Sequence, residues 1–195
     1  MSHYFTNDQV VTDQPVSIHF ELNGKEFTLH SNAGVFSKDK LDTGTRILLE
    51  TILKNEENPE SVLDLGCGIG PVGVVLSNFW NTQVTMIDVN ERAVELARQN
   101  MEAYHKQACI VCQDGVQDGS YECIVLNPPI RTGKEVIYRL FDECIEHLSN
   151  TGRFWIVIRK QHGAQSAVKH FEEKGCVVDR VHRDKGYWIL KITKA

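Results

Sequence analysis

Apolar and polar residues alternate near the start of the chain, and a helical period follows. Residues 16–31 alternate on both sides of Asn23-Gly24, and Asn-Gly accepts the two positive φ angles of a type I′ turn. This pattern predicts a β-hairpin. Residues 41–52 then place apolar side chains at helical spacing behind an Asp/Thr start, which predicts a helix.

Strands and helices are predicted to alternate along the rest of the chain. Strands are predicted at residues 61–66, 83–89, 108–115, 121–127, 152–159, 176–182 and 186–193, and helices at 72–79, 90–104, 134–148 and 164–174. Such alternation is typical of a parallel sheet with helices on both faces, and the short turn before the final strand makes the last pair antiparallel. We therefore expect an α/β fold with a Rossmann-like, seven-stranded, mostly parallel sheet, its last strand antiparallel, preceded by the N-terminal hairpin.

Length and composition favour one domain. The chain has 195 residues, of which 42% are hydrophobic, and this is enough for one substantial core. We expect a single domain over residues 1–195, in which residues 1–53 form a hairpin-and-helix extension and residues 54–195 form the sheet core. The sequence has no charged-then-apolar leader and no long apolar run, so we expect a cytoplasmic monomer with no membrane partner.

Six scattered cysteines lie mostly within apolar runs, as is typical of reduced thiols in a reducing compartment. Cys109 and Cys112 have the spacing of zinc ligands. However, no second Cys or His pair follows at a suitable distance, and a strand would place the two side chains on opposite faces. We interpret both as core cysteines and expect no metal site.

The net charge of −5 is unevenly distributed. Residues 1–125 carry 8 Lys/Arg and 18 Asp/Glu, whereas residues 126–195 carry 13 and 8. The overall charge is not that of a protein that binds nucleic acid through a general positive field. The basic second part, with Arg131, Lys134, Arg159 and Lys160, is either an ordinary solvated surface or a local patch for phosphates.

A glycine-rich segment joins the first strand of the predicted sheet to the next helix. Gly66, Gly68 and Gly70 follow the carboxyl end of that strand, where open α/β sheets bind ligands and where a missing Cβ allows close approach. Gly68-x-Gly70-x-x-Gly73 also satisfies the dinucleotide fingerprint, and Asp88 follows at a distance suited to ribose hydroxyls. A nicotinamide-dependent oxidoreductase is therefore one alternative.

Side chains at the strand ends favour a different ligand. Asp64 precedes the loop, and its carboxylate suits an ammonium group better than a pyrophosphate. Asp114 and Asn127 end the third and fourth predicted strands, and we expect both to supply polar groups across the same crevice. Because proline fixes φ and lacks an N–H, the Asn-Pro-Pro segment at Asn127 is either a rigid turn or a preformed set of hydrogen-bond acceptors.

Four motifs occur in the order and spacing of class I S-adenosylmethionine-dependent methyltransferases: VLDLGCGIGPVG, MIDVN, CQDG and NPPI. More narrowly, GVFSKDKLDTGTRILLE and NPPIRTGK resemble the small-domain methyltransferases related to the bacterial 16S ribosomal RNA guanine-N2 methyltransferase. The resemblance covers about residues 3–193. Longer members of that family carry an extra amino-terminal domain, so only the catalytic half is represented.

The resemblance implies S-adenosylmethionine as the cofactor. Asp64 and the backbone of the glycine loop would hold the methionine portion, Asp88 would accept the ribose hydroxyls, and Asp114 would accept the adenine amine. The implied cofactor residues are Asp42, Thr43, Asp64, Gly66, Cys67, Gly68, Gly70, Asp88, Val89, Asp114, Gly115 and Asn127.

Catalysis would belong to Asn127, Pro128, Pro129 and Ile130. The Asn127 side-chain oxygen and the Pro128 carbonyl would accept the two hydrogens of an exocyclic amine, fixed in advance by the prolines. In adenine and glutamine methyltransferases the position of Ile130 is commonly aromatic.

The implied substrate contacts are Phe36, Ser37, Arg131 and Lys134. Phe36 either stacks on the target base or packs in the core, and Arg131 and Lys134 would contact phosphates. The resemblance thus implies methylation of guanine N2 in 16S ribosomal RNA, with ribosomal RNA or the small subunit as partner. The alternatives are a protein glutamine or adenine methyltransferase, the oxidoreductase, and a cofactor-binding module without turnover.

Overall fold

The computed structural model describes residues 14–33 and 40–195. In this part the strands are β1 (Pro15–Leu22), β2 (Lys25–Asn32), β3 (Ser61–Leu65), β4 (Gln83–Asp88), β5 (Ala108–Cys112), β6 (Tyr121–Leu126), β7 (Leu148–Arg159), β8 (Cys176–Asp184) and β9 (Tyr187–Lys194). The helices are α1 (Thr43–Asn55), α2 (Pro71–Phe79), α3 (Glu91–Ala103), α4 (Lys134–His147) and α5 (Ala164–Glu173). None of these helices is long and apolar enough to cross a membrane.

The main sheet has seven strands in the order β5-β4-β3-β6-β7-β9-β8. The strands from β5 to β7 are parallel, whereas β9 runs antiparallel to both β7 and β8. This confirms the predicted Rossmann-like fold. The strand order reverses between β3 and β6, and such a switch point opens a crevice at the carboxyl ends of the strands.

Helices cover both faces of the sheet, so its central strands are apolar on both sides. On one face, Val62 and Val125 pack in a cluster with α1, α2, α3 and the hairpin. On the other face, Leu63 and Ile124 pack in a second cluster with α4 and α5. These two layers hold the sheet edge that carries the glycine loop.

The hairpin β1–β2 is fixed against α3 by a buried amide. Asn100, which is 0% exposed, accepts a hydrogen bond from the His30 N–H at 2.7 Å and donates to the carbonyls of His30 and Ile69 at 3.0 and 2.8 Å. The Tyr104 hydroxyl accepts from the Thr28 N–H at 2.7 Å. Since Ile69 belongs to the glycine loop, Asn100 ties the hairpin directly to the crevice.

The interpretation of Cys109 and Cys112 as core cysteines is wrong, because both are exposed. They lie on β5, which is an edge strand of the seven-stranded sheet formed by the described residues. The described residues contain no group of three or more His, Cys, Asp or Glu side chains that could hold a metal ion. By contrast, Cys123 and Cys144 are buried, and burial raises the pKa of both thiols well above the ordinary value.

Candidate active site

The loop between β3 and α2 turns through three glycines with positive φ: Gly66 at 68°, Gly68 at 55° and Gly70 at 95°. The end of β4 fixes this loop. The Gly68 N–H donates to Asp88 Oδ2 at 2.8 Å, and the Cys67 N–H donates to the Ile87 carbonyl at 2.9 Å. The loop is therefore preformed by its own hydrogen bonds.

The glycines serve two different purposes. Among the residues that the structure describes, a Cβ added at Gly66 would meet only Leu126 Cδ1, at 3.9 Å, so these residues leave space open beside the loop. A Cβ at Gly70 would lie 2.8 Å from Met86 Cε, and one at Gly73 would lie 2.6 Å from Met86 Sδ. The later two glycines thus allow α2 to pack closely on β4.

A cavity of about 480 Å³ opens at the crevice. It brings together eight of the predicted site residues, which are Asp42, Asp64, Gly66, Cys67, Gly68, Asn127, Pro128 and Arg131. It also has walls that the sequence did not indicate: Ile18, Leu29, Lys40, Leu41, Thr45, Ile69, Pro71 and Val72. The hairpin supplies Ile18 and Leu29, so it forms an apolar wall of the site.

Asp64 is the buried acid of this cavity, with 3% of its surface exposed. Its Oδ2 accepts a hydrogen bond from the Gly73 N–H at 3.0 Å. Burial, assisted by the nearby charge of Asp88, raises the pKa of Asp64 to about 7, although the Gly73 hydrogen bond opposes the rise. A cationic ligand in the cavity would favour the ionised form of this carboxyl.

Asp88 and Val89 lie at the end of β4, next to the cavity-lining loop. Besides Gly68, the Asp88 carboxylate accepts a hydrogen bond from the Asn90 N–H at 2.9 Å. Val89 is 66% exposed, which few large apolar residues in the described part of the chain are. A polar acceptor and an exposed apolar face therefore stand side by side at this edge.

Asp114 and Gly115 are not among the described residues that line the cavity. Asp114 forms an ion pair with Arg139 at 2.7 Å, and Arg139 also binds Glu143 at 2.7 Å. A Cβ at Gly115 would collide with Glu143 Oε2, so this glycine accommodates the Glu143 carboxylate. Arg139 therefore pairs with the carboxylate for which the resemblance implied a contact with the adenine amine.

The Asn-Pro-Pro segment follows β6 and contacts the start of α1. The Asn127 side-chain nitrogen donates to Thr45 Oγ1 at 3.1 Å and to Asp42 Oδ2 at 3.3 Å. The Pro128 carbonyl accepts from the Ile130 N–H at 2.9 Å, and one of its two lone pairs remains. Among the hydrogen bonds of the described residues, none is accepted by Asn127 Oδ1.

Seven other predicted residues are not among the described residues that line the cavity. They are Thr43, Gly70, Asp88, Val89, Pro129, Ile130 and Lys134. Thr45, rather than Thr43, lines the cavity. Asp42 is the N-cap of α1, and its side chain accepts a hydrogen bond from the N–H of Thr45, the third residue of the helix. This capping spacing is the one sequence signal that points to Thr45. Phe36 and Ser37 lie outside the described residues.

Comparisons with known proteins point to one family. Residues 26–191 match the family model for the methyltransferase small domain. The chain is 39% identical over 201 residues to the uncharacterised protein YbxB of Bacillus subtilis, and the match covers 98% of each protein. It is 35% identical over 156 residues to ribosomal RNA small subunit methyltransferase C of Haemophilus influenzae, covering 71% of this chain but 47% of that enzyme.

Solved structures show the same fold. The 16S rRNA N2 methyltransferase of T. thermophilus, solved in complex with AdoMet and guanosine, superposes with a TM-score of 0.80 at 22% identity. The match covers 93% of this chain and 51% of that one. The chain therefore spans about half the length of the ribosomal RNA methyltransferases that it matches.

Proposed function

Because the chain belongs to the methyltransferase small domain family of S-adenosylmethionine-dependent enzymes, we propose that it methylates the N2 amine of a guanine in 16S ribosomal RNA. The methyl donor and the reaction class come with the family. The RNA and the target atom are the proposal, supported by the similarity to ribosomal RNA methyltransferases and by the geometry around Asn127.

The residues of the cavity fit the cofactor. S-adenosylmethionine carries an ammonium group, a ribose, an adenine and a reactive methyl sulfonium. Asp64 supplies a carboxylate for the ammonium group, and the open side of Gly66 leaves room for the methionine portion. Asp88 supplies acceptors for the ribose hydroxyls, and Val89 supplies an apolar face for the adenine. Asp114 would accept a hydrogen bond from the adenine amine, either while it stays paired with Arg139 or after that ion pair breaks.

The observation that carries the proposal is the state of the Asn127 amide. Its nitrogen is engaged by Thr45 and Asp42, whereas its oxygen accepts no hydrogen bond from any described residue and belongs to a side chain that lines the cavity. With the Pro128 carbonyl, this oxygen can hold both hydrogens of an exocyclic amine. Fixed acceptors of this kind orient the nitrogen lone pair and draw the nitrogen away from conjugation with its ring.

The chemistry requires no strong base. A methylated aromatic amine is acidic while it carries its extra proton, so water can accept that proton after transfer. The chain's own task is therefore to orient the amine and exclude other geometries. A guanine inside a helix could not present its N2 to the cavity, so the target base must be unstacked.

An RNA substrate is supported by positive charge beside the cavity. Arg131 lines the cavity, and Lys134 begins the helix that follows it. Lys160 directly follows β7, the strand beside β6, and Lys185 lies in the turn between β8 and β9. The Lys160 N–H donates to the Gly186 carbonyl of that turn at 3.0 Å. None of these four side chains enters an ion pair with a described residue, so they remain available to phosphates.

Transfer of a labelled methyl group to a panel of acceptors tests the proposal. The panel contains small ribosomal subunits, free 16S ribosomal RNA, large-subunit RNA and ribosomal protein. We expect methyl label in 16S RNA, either free or in the subunit. The label should be absent when the guanine N2 amines of that RNA are not available for methylation. Label in protein or in large-subunit RNA alone would overturn the proposed substrate and leave the methyltransferase assignment intact.

A further inference from the structure

We propose that Thr45 is a positioning residue, and that with Asp42 it fixes the Asn127 amide with its oxygen toward the amine to be methylated. The inference rests on the proposed function, because it concerns the same acceptor. Thr45 itself is 6% exposed and lies in the first turn of α1, which packs on β7 and β9. It is thus held by a rigid part of the fold.

The direction of each hydrogen bond follows from what each group can donate. An ionised carboxylate only accepts, and Asp42 Oδ2 accepts from the Thr45 N–H at 3.0 Å and from the Thr45 hydroxyl at 3.3 Å. The single hydroxyl hydrogen of Thr45 is therefore directed at Asp42. Its oxygen can then only accept, and it accepts from the Asn127 side-chain nitrogen at 3.1 Å.

The reversed amide would be strongly disfavoured. It would place Asn127 Oδ1 against the Asp42 carboxylate oxygen, so that two acceptors face each other, and the Thr45 hydroxyl could donate to Oδ1 only by giving up its own hydrogen bond to Asp42. The Asp42 carboxylate, which can only accept hydrogen bonds, thus determines the orientation of the Asn127 amide. In this way the substrate acceptor is oriented before any amine arrives, which is the condition for electrostatic preorganisation.

Gly44 makes room for this arrangement. A Cβ at this position would lie 3.2 Å from Asp42 Oδ2 and 3.0 Å from Tyr187 Cε1. Gly44, the second of the two residues between Asp42 and Thr45, thus has no side chain where the carboxylate and the Tyr187 ring approach. The Asp-Thr-Gly-Thr sequence builds the network within one helical turn.

Thr45→Val tests the proposal, because valine keeps the shape of the side chain and its backbone N–H but removes the hydroxyl. We expect kcat for RNA methylation to fall about 10- to 100-fold, with the cofactor Kd and the KM for RNA nearly unchanged. Thr45→Ser, the matched control, restores the hydroxyl and most of the rate. In an Asn127→Ala background, Thr45→Val should cause no further loss, because the two residues act as one unit.

A second readout does not depend on turnover. The two side-chain N–H signals of Asn127, identified by their absence in Asn127→Ala, should shift in the NMR spectrum of Thr45→Val and return in Thr45→Ser. Unchanged Asn127 signals, or a rate loss that is as large without Asn127 as with it, would overturn the positioning role. If the wild-type protein methylates no acceptor, the proposed function fails, and the NMR comparison still decides whether Thr45 holds the amide.

Discussion

Replacement of Asp64 by asparagine should stabilise the cofactor-free protein in a way that depends on pH. Burial raises the pKa of Asp64 from 3.8 to about 7 in the folded chain. Between these two values the folded state holds a proton that the unfolded state releases, so stability falls as pH rises. The shift corresponds to about 4 kcal/mol, at 1.36 kcal/mol per pKa unit.

Asparagine preserves the shape and can still accept the hydrogen bond from the Gly73 N–H. It carries no charge to desolvate. We therefore expect Asp64→Asn to be more stable than the wild type by up to about 4 kcal/mol at pH 8, with the difference approaching zero near pH 4. At no pH between 4 and 8 do we expect the wild type to have a larger free energy of unfolding than Asp64→Asn.

Urea unfolding of both proteins between pH 4 and pH 8 measures this difference, and the subtraction removes the titration of other groups. Asp118→Asn, the same substitution at an exposed carboxyl, serves as the control for removing one aspartate charge from the surface. A stability difference that stays constant across the range, or one that grows toward pH 4, would refute the reasoning. The binding counterpart is that wild-type affinity for S-adenosylmethionine should weaken about tenfold per pH unit below pH 7, whereas Asp64→Asn should bind weakly at every pH.

Three further predictions concern the site and its support. Asn127→Ala should lower the methylation rate by at least about 100-fold while calorimetry finds cofactor affinity nearly unchanged, and an equal loss of both would make Asn127 mainly a cofactor ligand. Gly73→Ala should destabilise the protein by about 1–3 kcal/mol in urea, because its Cβ would lie 2.6 Å from Met86 Sδ, and an unchanged midpoint would contradict that contact. Asn100→Ala should cost about 2–4 kcal/mol and raise amide exchange in β2, since the buried Ile69 carbonyl and the part-buried N–H and carbonyl of His30 lose their side-chain partner; unaltered exchange there would argue against the docking role.

Features governed by neighbouring residues could be predicted from the sequence. The hairpin follows from Asn23-Gly24, since Asn23 and Gly24 take φ angles of 48° and 77°. The glycine loop and the polar residues at the strand ends follow from the alternation of strands and helices, because parallel strands bring their carboxyl ends to one edge. The cavity therefore gathers Asp64, Gly66 and Asn127 as expected.

Features that depend on distant partners could not be predicted. Thr45 and Asn127 are 82 positions apart, and Asn100 is 70 positions from His30. The ion pair of Asp114 with Arg139 likewise depends on where α4 packs against the loop after β5. No local period encodes these pairings. The exposure of Cys109 depends on β5 lying at the edge of the sheet, and strand order is not visible in the hydrophobic pattern.

The most direct test of the central claim is to identify the methylated nucleoside. 16S ribosomal RNA, free or within small subunits, would be incubated with S-adenosylmethionine and either the wild-type protein or Asn127→Ala. The RNA would then be digested and its nucleosides resolved by mass spectrometry. We expect N2-methylguanosine from the wild-type reaction and almost none from the variant. Methyl label in another nucleoside, or N2-methylguanosine formed equally by Asn127→Ala, would contradict the assignment of guanine N2 to this site.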